Sequence, residues 1–408
     1  YKINRGNLMK DKDILVISQY FYPESFRIND MCIEWVKRGY KVTVLTGIPN
    51  YPQGKFFKGY SWFKKRRETW NGIDIIRIPL IPRGHNAIGM IFNYFSFVVS
   101  GFFWNIATKV KADYVFTFEV SPMTQALIGK WYARKRKIPC YLYVQDLWPE
   151  NVEIVTGIHS KLIINPIGKM VNGIYKNCDA IFATSQSFVK EIQKRVFDDK
   201  SKVKYLPQYA EEFYRPVEKK VMYEIPDDDS FKIIFAGNIG KAQGLEILPK
   251  TAAILKNKSN VKFIIVGDGR NRENFINQIR ENSVEDMFIM IDRQPAERIP
   301  QFLACCDAAF ISFMDNLLFA NTIPAKLQSY MACGIPIVAS ATGETEKIIK
   351  ESSCGICTPI GDADALADGI YKIICSMDRD NMSHNSKEYY DAHFNKKKLM
   401  DMLDDFYC

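Results

Sequence analysis

Three glycines, Gly237, Gly240 and Gly244, lie in Phe235-Ala-Gly-Asn-Ile-Gly-Lys-Ala-Gln-Gly-Leu-Glu-Ile-Leu248, between a short apolar run and a helical pattern. Glycine permits positive φ and close backbone approach, and a helix start offers N–H groups and a dipole that favour an anion, so the stretch reads as a phosphate cradle. Lys241 adds a cation. A plain tight turn between strand and helix would use the same residues, and the rest of the chain decides between them. A second constellation is acidic. Glu119 ends one apolar run, and Asp146-Leu-Trp-Pro-Glu150 follows another, which puts carboxylates at strand ends beside a tryptophan and a proline. Carboxylates there can orient or deprotonate a hydroxyl, with helix capping by Asp146 as the alternative. Glu24 and Arg27 stand in the loop 19–27 after the first strand, as ligand contacts or as ordinary loop polarity.

Composition narrows what these groups serve. At 408 residues the chain is long for one core and comfortable for two. The net charge of +9 is unevenly spread: residues 1–205 carry 32 Lys+Arg against 16 Asp+Glu, and residues 206–408 carry 23 against 30, giving halves of +16 and −7. The first half therefore faces an anionic partner, a nucleic acid or a membrane surface. Aromatic and basic residues interleave over 55–69, with Lys64, Lys65, Arg66 and Arg67 in a row, and a second basic cluster spans 130–137. Nucleic-acid signature motifs do not accompany them, which favours lipid headgroups and no nucleic acid. The ten cysteines follow no disulfide framework, and Cys354-Gly-Ile-Cys357 has neither a second pair nor a nearby histidine, so no metal site is expected. The start, Tyr1–Lys12, is polar and basic with no apolar segment, which reads as a cytoplasmic protein.

The positioning elements follow from periodicity. Apolar runs at 13–18, 41–46, 73–79, 113–119, 140–145, 179–184 and 203–206 read as buried strands, with helices at 28–38, 122–136 and from 185 to about 197. The irregular, proline-bearing 207–229 reads as a linker. A second series begins at 231: strands 231–236, 261–266, 287–291, 307–311 and 336–339, with helices 244–257, to 282, and 296–305. The pattern is an α/β fold with two Rossmann-like domains facing across a cleft: 1–206, 230–385, and a last helical segment 386–408 returning to the first domain. The stretch 87–107 reaches membrane-spanning length, yet Asn93, Ser96, Ser100 and Asn105 interrupt it and strand signals flank it. It reads as a domain helix, buried or lying flat on a bilayer with its polar positions turned away from lipid.

Several segments together carry a resemblance: Pro49-Asn-Tyr-Pro-Gln-Gly54, Asp146-Leu-Trp-Pro-Glu150, Gly237-Asn-Ile-Gly-Lys-Ala-Gln-Gly244, Arg293-Gln-Pro295 and Ile323-Pro-Ala-Lys-Leu-Gln-Ser-Tyr-Met-Ala-Cys-Gly-Ile-Pro336. The sequence resembles family-4 glycosyltransferases of GT-B architecture over about 13–390. It is similar in particular to bacterial O-antigen, colanic-acid and capsule sugar transferases, including N-acetylfucosamine transferases. The resemblance implies a nucleotide-sugar donor, UDP-linked, on the carboxyl-terminal domain. It places the pyrophosphate at Gly237, Asn238, Gly240 and Gln243 beside Lys241 and Lys326, with Gly267 after the next strand and base contacts at Arg293 and Gln294. The family's usual Arg and Lys are replaced here by Asn238 and Gln243, and its two glutamates near the ribose and sugar by Asn321 and Ser329. Thr322, Lys326 and Ser329 share a helical side if the helix already includes Thr322.

The resemblance further implies transfer with retention of configuration and without an obligatory cofactor or divalent ion. The acceptor would be a polyprenyl-diphosphate-linked saccharide at the inner face of the cytoplasmic membrane. Fixed positive charge at Lys241 and Lys326 would stabilise the departing diphosphate. Asp146, then Glu150, Glu119, Glu24 and Arg27, would attend the acceptor. A sugar-nucleotide epimerase of the same architecture and a catalytically silent sugar-nucleotide or membrane-binding module are the alternatives.

Overall fold

The computed structural model describes residues 12–84, 87–376 and 378–407, so the amino-terminal stretch up to 11 lies outside the described residues. By contacts the chain divides into two units, one of residues up to 184 with 188–206, the other of 185–187 with 207–407. To residue 206 the chain runs β1 (Asp13–Ile17), α1 (Arg27–Lys37), β2 (Lys41–Gly47), β3 (Arg67–Trp70), β4 (Ile73–Ile78), α2 (Ala87–Ala107), β5 (Tyr114–Glu119), α3 (Ala126–Arg136), β6 (Cys140–Val144), α4 (Glu150–Thr156), α5 (Lys161–Tyr175), β7 (Ala180–Ala183), α6 (Gln186–Arg195) and β8 (Val203–Tyr205).

These strands form one sheet in the order β3-β4-β2-β1-β5-β6-β7-β8. Every pair is parallel except β3 with β4. The strands read as continuous apolar runs because helices cover both faces of such a sheet. Strand order reverses at β1, which has β2 on one side and β5 on the other, and the loops after β1 and β5 therefore part there. The antiparallel edge strand β3 lies within the basic-aromatic segment, where the sequence reads a headgroup surface. Arg66 donates to the carbonyls of Arg77 and Trp62, so it serves the fold there.

Helix α2 is built inside out. Its buried positions, Asn93, Phe97, Gly101 and Asn105, recur every four residues on one face. Asn93 donates to the Ile81 carbonyl at 2.6 Å and accepts from Gln19 at 2.7 Å, while a Cβ at Gly101 would stand 2.2 Å from Ile128 Cδ1 of α3. The opposite face exposes Ile88, Ile91, Phe92, Phe95, Val99, Phe102, Phe103 and Ile106. Hence the helix is not a core helix. The basic cluster at 130–137 is partly spent on its end: Lys135 Nζ donates to the Asn105 and Ile106 carbonyls at 2.9 and 3.0 Å, and Arg136 to that of Thr108 at 2.9 Å. Cations satisfying the last carbonyls of a helix also complement its dipole.

The second unit contains β9 (Phe231–Ala236), α7 (Ile247–Leu255), β10 (Val261–Val266), α8 (Arg272–Glu281), β11 (Phe288–Ile291), α9 (Ile299–Ala304), β12 (Ala308–Ser312), α10 (Leu317–Ala320), α11 (Ala325–Ala332), β13 (Ile337–Ser340), α12 (Glu344–Ser352), β14 (Gly355–Thr358), α13 (Ala363–Cys375), α14 (Arg379–His393) and α15 (Lys396–Tyr407). Its sheet, β11-β10-β9-β12-β13-β14, is parallel throughout and reverses between β9 and β12. Helix α14 packs on α11, and Lys396 pairs with Glu212 at 2.9 Å. Through Tyr407 the terminal helices group with this unit, whereas the sequence reading sends 386–408 to the first.

Candidate functional site

Beside the switch point of the first unit, Asp146 follows β6 and is held from the loop after β5. Its Oδ2 accepts from Ser121 N at 2.8 Å and Ser121 Oγ at 2.7 Å. Ser121 Oγ in turn accepts from Trp148 Nε1 at 3.1 Å and Asn151 Nδ2 at 2.6 Å. Asp146 caps no helix, since α4 begins four residues later behind Pro149. The carboxylate lines a cavity of about 820 Å³ whose walls come from the β1 loop (Tyr20, Phe26), from Tyr51 and Arg83, from α2 (Met90, Tyr94, Phe95) and from α5 (Ile163, Ile167, Met170). Neither Ser121 nor Arg83 stands out in the sequence, because each is a lone polar residue in a loop.

The other acidic candidates lie elsewhere. Glu119 is completely buried beside Asp146, with Oε2 accepting Asp146 N at 3.4 Å and no partner on Oε1 among the described residues. Burial, and then the charge of Asp146, hold its carboxyl well above the usual range. It is a fully buried neighbour of the site, absent from the cavity lining, which corrects its reading as an acceptor contact. Glu150 turns to Arg195 at 2.5 Å and does not line the cavity. Glu24 is spent on backbone, accepting from Asn50 N at 2.8 Å, Tyr51 N at 2.6 Å and Phe21 N at 3.3 Å. Desolvation pushes it up to about 7 against those bonds. It ties the β1 loop to the 48–51 loop, and so places Tyr51 in the cavity wall. Arg27 opens α1, close enough to Tyr143 for its charge to bear on that phenol, and is absent from the cavity lining.

In the second unit, β9 ends at the glycine stretch. Gly237 has φ 150°, and a Cβ there would lie 2.5 Å from Lys326 Cε, so the missing side chain leaves room for the lysine. Gly267, at φ 151°, lets the end of β10 pass the Gly237 carbonyl, which a Cβ would meet at 1.9 Å. Gly240 is extended at φ −114°, and helix α7 starts only at Ile247, after a single 3₁₀ turn at Lys241–Gln243. The turn is thus longer than the sequence suggests, and positive φ is needed at Gly237 and Gly244 rather than at Gly240. Ala242 O accepts from Met314 N at 3.1 Å, and Gln243 O from Ser312 Oγ, which tie the turn to the end of β12.

Lys326, in the first turn of α11, brings its ammonium to this turn. It donates to Gln243 Oε1 and lies 3.8 Å from the centroid of the Phe235 ring. Desolvation lowers it to about 7. Its partners among the described residues are an amide and a ring, and no carboxylate there balances its charge. Asn238 and Lys241 are exposed on the turn. Thr322 lies outside α11, whose N-cap is Pro324, and gives its hydroxyl to Leu318 O at 2.7 Å, so the shared side with Lys326 and Ser329 does not extend to it. Asn321 closes the short α10, its N–H donating to Leu317 O at 3.1 Å. Ser329 is buried on α11. Arg293 is exposed beyond β11, and Gln294 bonds the Asp292 carbonyl at 3.2 Å and the Arg298 guanidinium.

Residues 219–389 match the family described as glycosyl transferases, group 1. The chain carries a group 1 glycosyltransferase domain in its second unit. Its fold is GT-B, two α/β Rossmann-like units with parallel sheets. This glycosyltransferase is 24% identical over 387 residues to WcaI, assigned to colanic acid biosynthesis in Escherichia coli K12, covering 90% of the chain and 92% of WcaI. It is 27% identical over 248 residues to the glycosyltransferase WbjE of Pseudomonas aeruginosa, spanning 58% of the chain and 60% of WbjE's length. Anabaena HepE, solved in complex with UDP-glucose, superposes with a TM-score of 0.67 at 14% identity, over 97% of this chain and 99% of HepE.

Proposed function

We propose that this glycosyltransferase moves a sugar from a UDP-linked donor on its second unit to a polyprenyl-diphosphate-linked saccharide on its first, in surface polysaccharide assembly at the cytoplasmic face of the membrane. The observation that carries the reading is Lys326: a desolvated cation without a carboxylate partner among the described residues, at a switch-point turn of backbone and glycine. Such a group favours an anion, and a leaving diphosphate is the anion whose charge grows as the glycosidic bond breaks. HepE's complexes with UDP and UDP-glucose support a UDP donor, and WcaI's place in colanic acid biosynthesis supports the polysaccharide setting. Asp146 is the carboxylate positioned to orient or deprotonate the acceptor hydroxyl, because it alone of the acidic candidates lines the cavity. Catalysis retains configuration and needs no obligatory metal. The sugar is an amino or deoxy sugar such as N-acetyl-L-fucosamine.

The inside-out α2 supports the membrane setting. Its apolar face, with exposed Trp62 and Phe63 and the exposed cations Lys64, Lys65 and Arg67, offers both terms that hold a protein on an anionic leaflet. The test has two stages. A thermal-shift panel of UDP, GDP and dTDP comes first, since a ligand at 100 times its dissociation constant stabilises by about 2.7 kcal/mol. Product analysis with UDP-sugars and a lipid-linked acceptor comes second. A new glycoside supports the proposal, whereas an altered free sugar nucleotide identifies an epimerase and neither product a silent binding module. Sedimentation with anionic vesicles at low salt tests the membrane term, which fails if the protein stays in the supernatant.

A further inference from the structure

The cavity in the first unit is more apolar than a sugar site requires. Asp146, Ser121 and Asn151 meet in its lining. Most of the remaining wall is apolar, with Met90, Ile91, Phe95 and Val98 of α2 and Ile163, Ile167 and Met170 of α5. Ile91, Phe95 and Ile163 are at once cavity lining and exposed surface. Thus the apolar face of α2 continues into the cavity. A saccharide gains little from such walls, while a hydrocarbon chain leaving a bilayer would stay in apolar surroundings all the way.

One cation stands in the lining. Arg83 is fixed by its own N–H to Asn50 Oδ1 at 2.9 Å, by Nη2 to Met90 Sδ at 3.3 Å and by packing over the Tyr51 ring at 5.2 Å. It sits at the amino-terminal end of α2, whose dipole also favours an anion. The phenol of Tyr94, about two turns into α2, lies within electrostatic reach of both Arg83 and Asp146, and all three line the one cavity. A planar guanidinium suits a phosphate oxygen pair.

We infer that this cavity is a receptor for the isoprenoid end of the acceptor, with the first isoprene units between α2 and α5, the diphosphate on Arg83 and the sugar hydroxyl at Asp146. The inference rests on the lipid-linked acceptor proposed above and deepens it. The occupant is an allylic diphosphate lipid rather than a bare anion or a bare hydrocarbon, because the lining combines one cation with long apolar walls. A cavity of about 820 Å³ is within the range of ligand pockets.

The test titrates the full-length protein with farnesyl diphosphate, farnesol and inorganic pyrophosphate by calorimetry, below the lipid's aggregation concentration. Farnesyl diphosphate should bind at least about tenfold more tightly than either part, since both ends contribute. Val98→Trp and, independently, Ile167→Trp fill the cavity and should weaken farnesyl diphosphate by more than about tenfold. Vesicle sedimentation and the UDP thermal shift should stay as in the unmodified protein, which also shows that the variants fold. Arg83→Gln should bring farnesyl diphosphate down to the affinity of farnesol. Equal binding by the filled variants, or pyrophosphate as tight as farnesyl diphosphate, overturns the inference. Vesicle binding without farnesyl diphosphate binding overturns it too and spares the membrane reading; the reverse result removes the membrane reading and keeps the cavity.

Discussion

The two units solve one topological problem with opposite materials. Each sheet reverses order beside a central strand, β1 in one and β9 in the other, and each opens its strand-end loops at that point. In the first unit the loops carry Tyr20, Phe26, Tyr51 and Trp148, whose bulk holds the walls apart around a cavity. In the second, Gly244 and Gly267 let backbone pass backbone at distances no Cβ could tolerate, and Gly237 leaves room for one lysine. Electrostatics reverse as well. Burial raises Glu119 beneath a hydrogen-bonded carboxylate in the first site, and it lowers Lys326 in the second. Shared architecture therefore places a site, while side-chain size and burial choose its chemistry.

That contrast can be broken on either side. Asp146→Asn keeps shape and most of the Ser121 bonding, and it should lower kcat for transfer by roughly 10²–10⁴ while leaving UDP affinity unchanged. Unimpaired turnover would move the role off Asp146. Lys326→Met should weaken UDP by roughly 1.5–3 kcal/mol in calorimetry, the range for a charge-assisted contact. It should leave farnesyl diphosphate affinity alone, and a loss of both ligands would mean that the two sites are not separate.

A pH series sharpens the comparison. Lys326 titrates near 7 in the free protein, and a bound diphosphate raises that value, so binding takes up a proton above pH 7. UDP affinity should fall between pH 7 and 9 by up to about tenfold per unit, with proton uptake visible as a buffer-dependent heat. A flat profile, or one retained in Lys326→Met, would assign the linkage to another group. The smallest effect belongs to Lys241→Ala. Its side chain is exposed, so its contact with diphosphate is screened and should contribute about 1 kcal/mol or less, readable as a modest rise in UDP dissociation constant at low salt.

Most strands were legible because buried parallel strands leave uninterrupted apolar runs, as in Val261–Val266 and Cys140–Val144. Edge strands were not. Arg67–Trp70 hides in a basic segment because it is half exposed, and Gly355–Thr358 is short and contains glycine. Helix α2 was legible as a helix, but its inward face is set by Ile81, Gln19 and Ile128, none of them near it by sequence pattern. For the candidate site, Lys326 came from the family resemblance, while residue type proposed Asp146. It also proposed Glu119 and Glu24, since a carboxylate at a strand end looks the same whether it faces a cavity or the backbone. Thr322 was placed on the lysine's side by assuming a helix that Pro324 begins two residues too late.

A lysine that loses its proton near 7 is also a nucleophile at neutral pH. An ordinary lysine, with a reference pKa of about 10.4, is protonated and slow at that pH, so a small amine-directed electrophile able to enter beside Gly237 would be expected to mark Lys326 first. Peptide mapping after brief exposure would then report whether the turn is occupied, because a bound diphosphate both shields the amine and restores its proton. Occupancy of the second unit could be followed in this way before the transferred sugar is known, by the protection of a single residue.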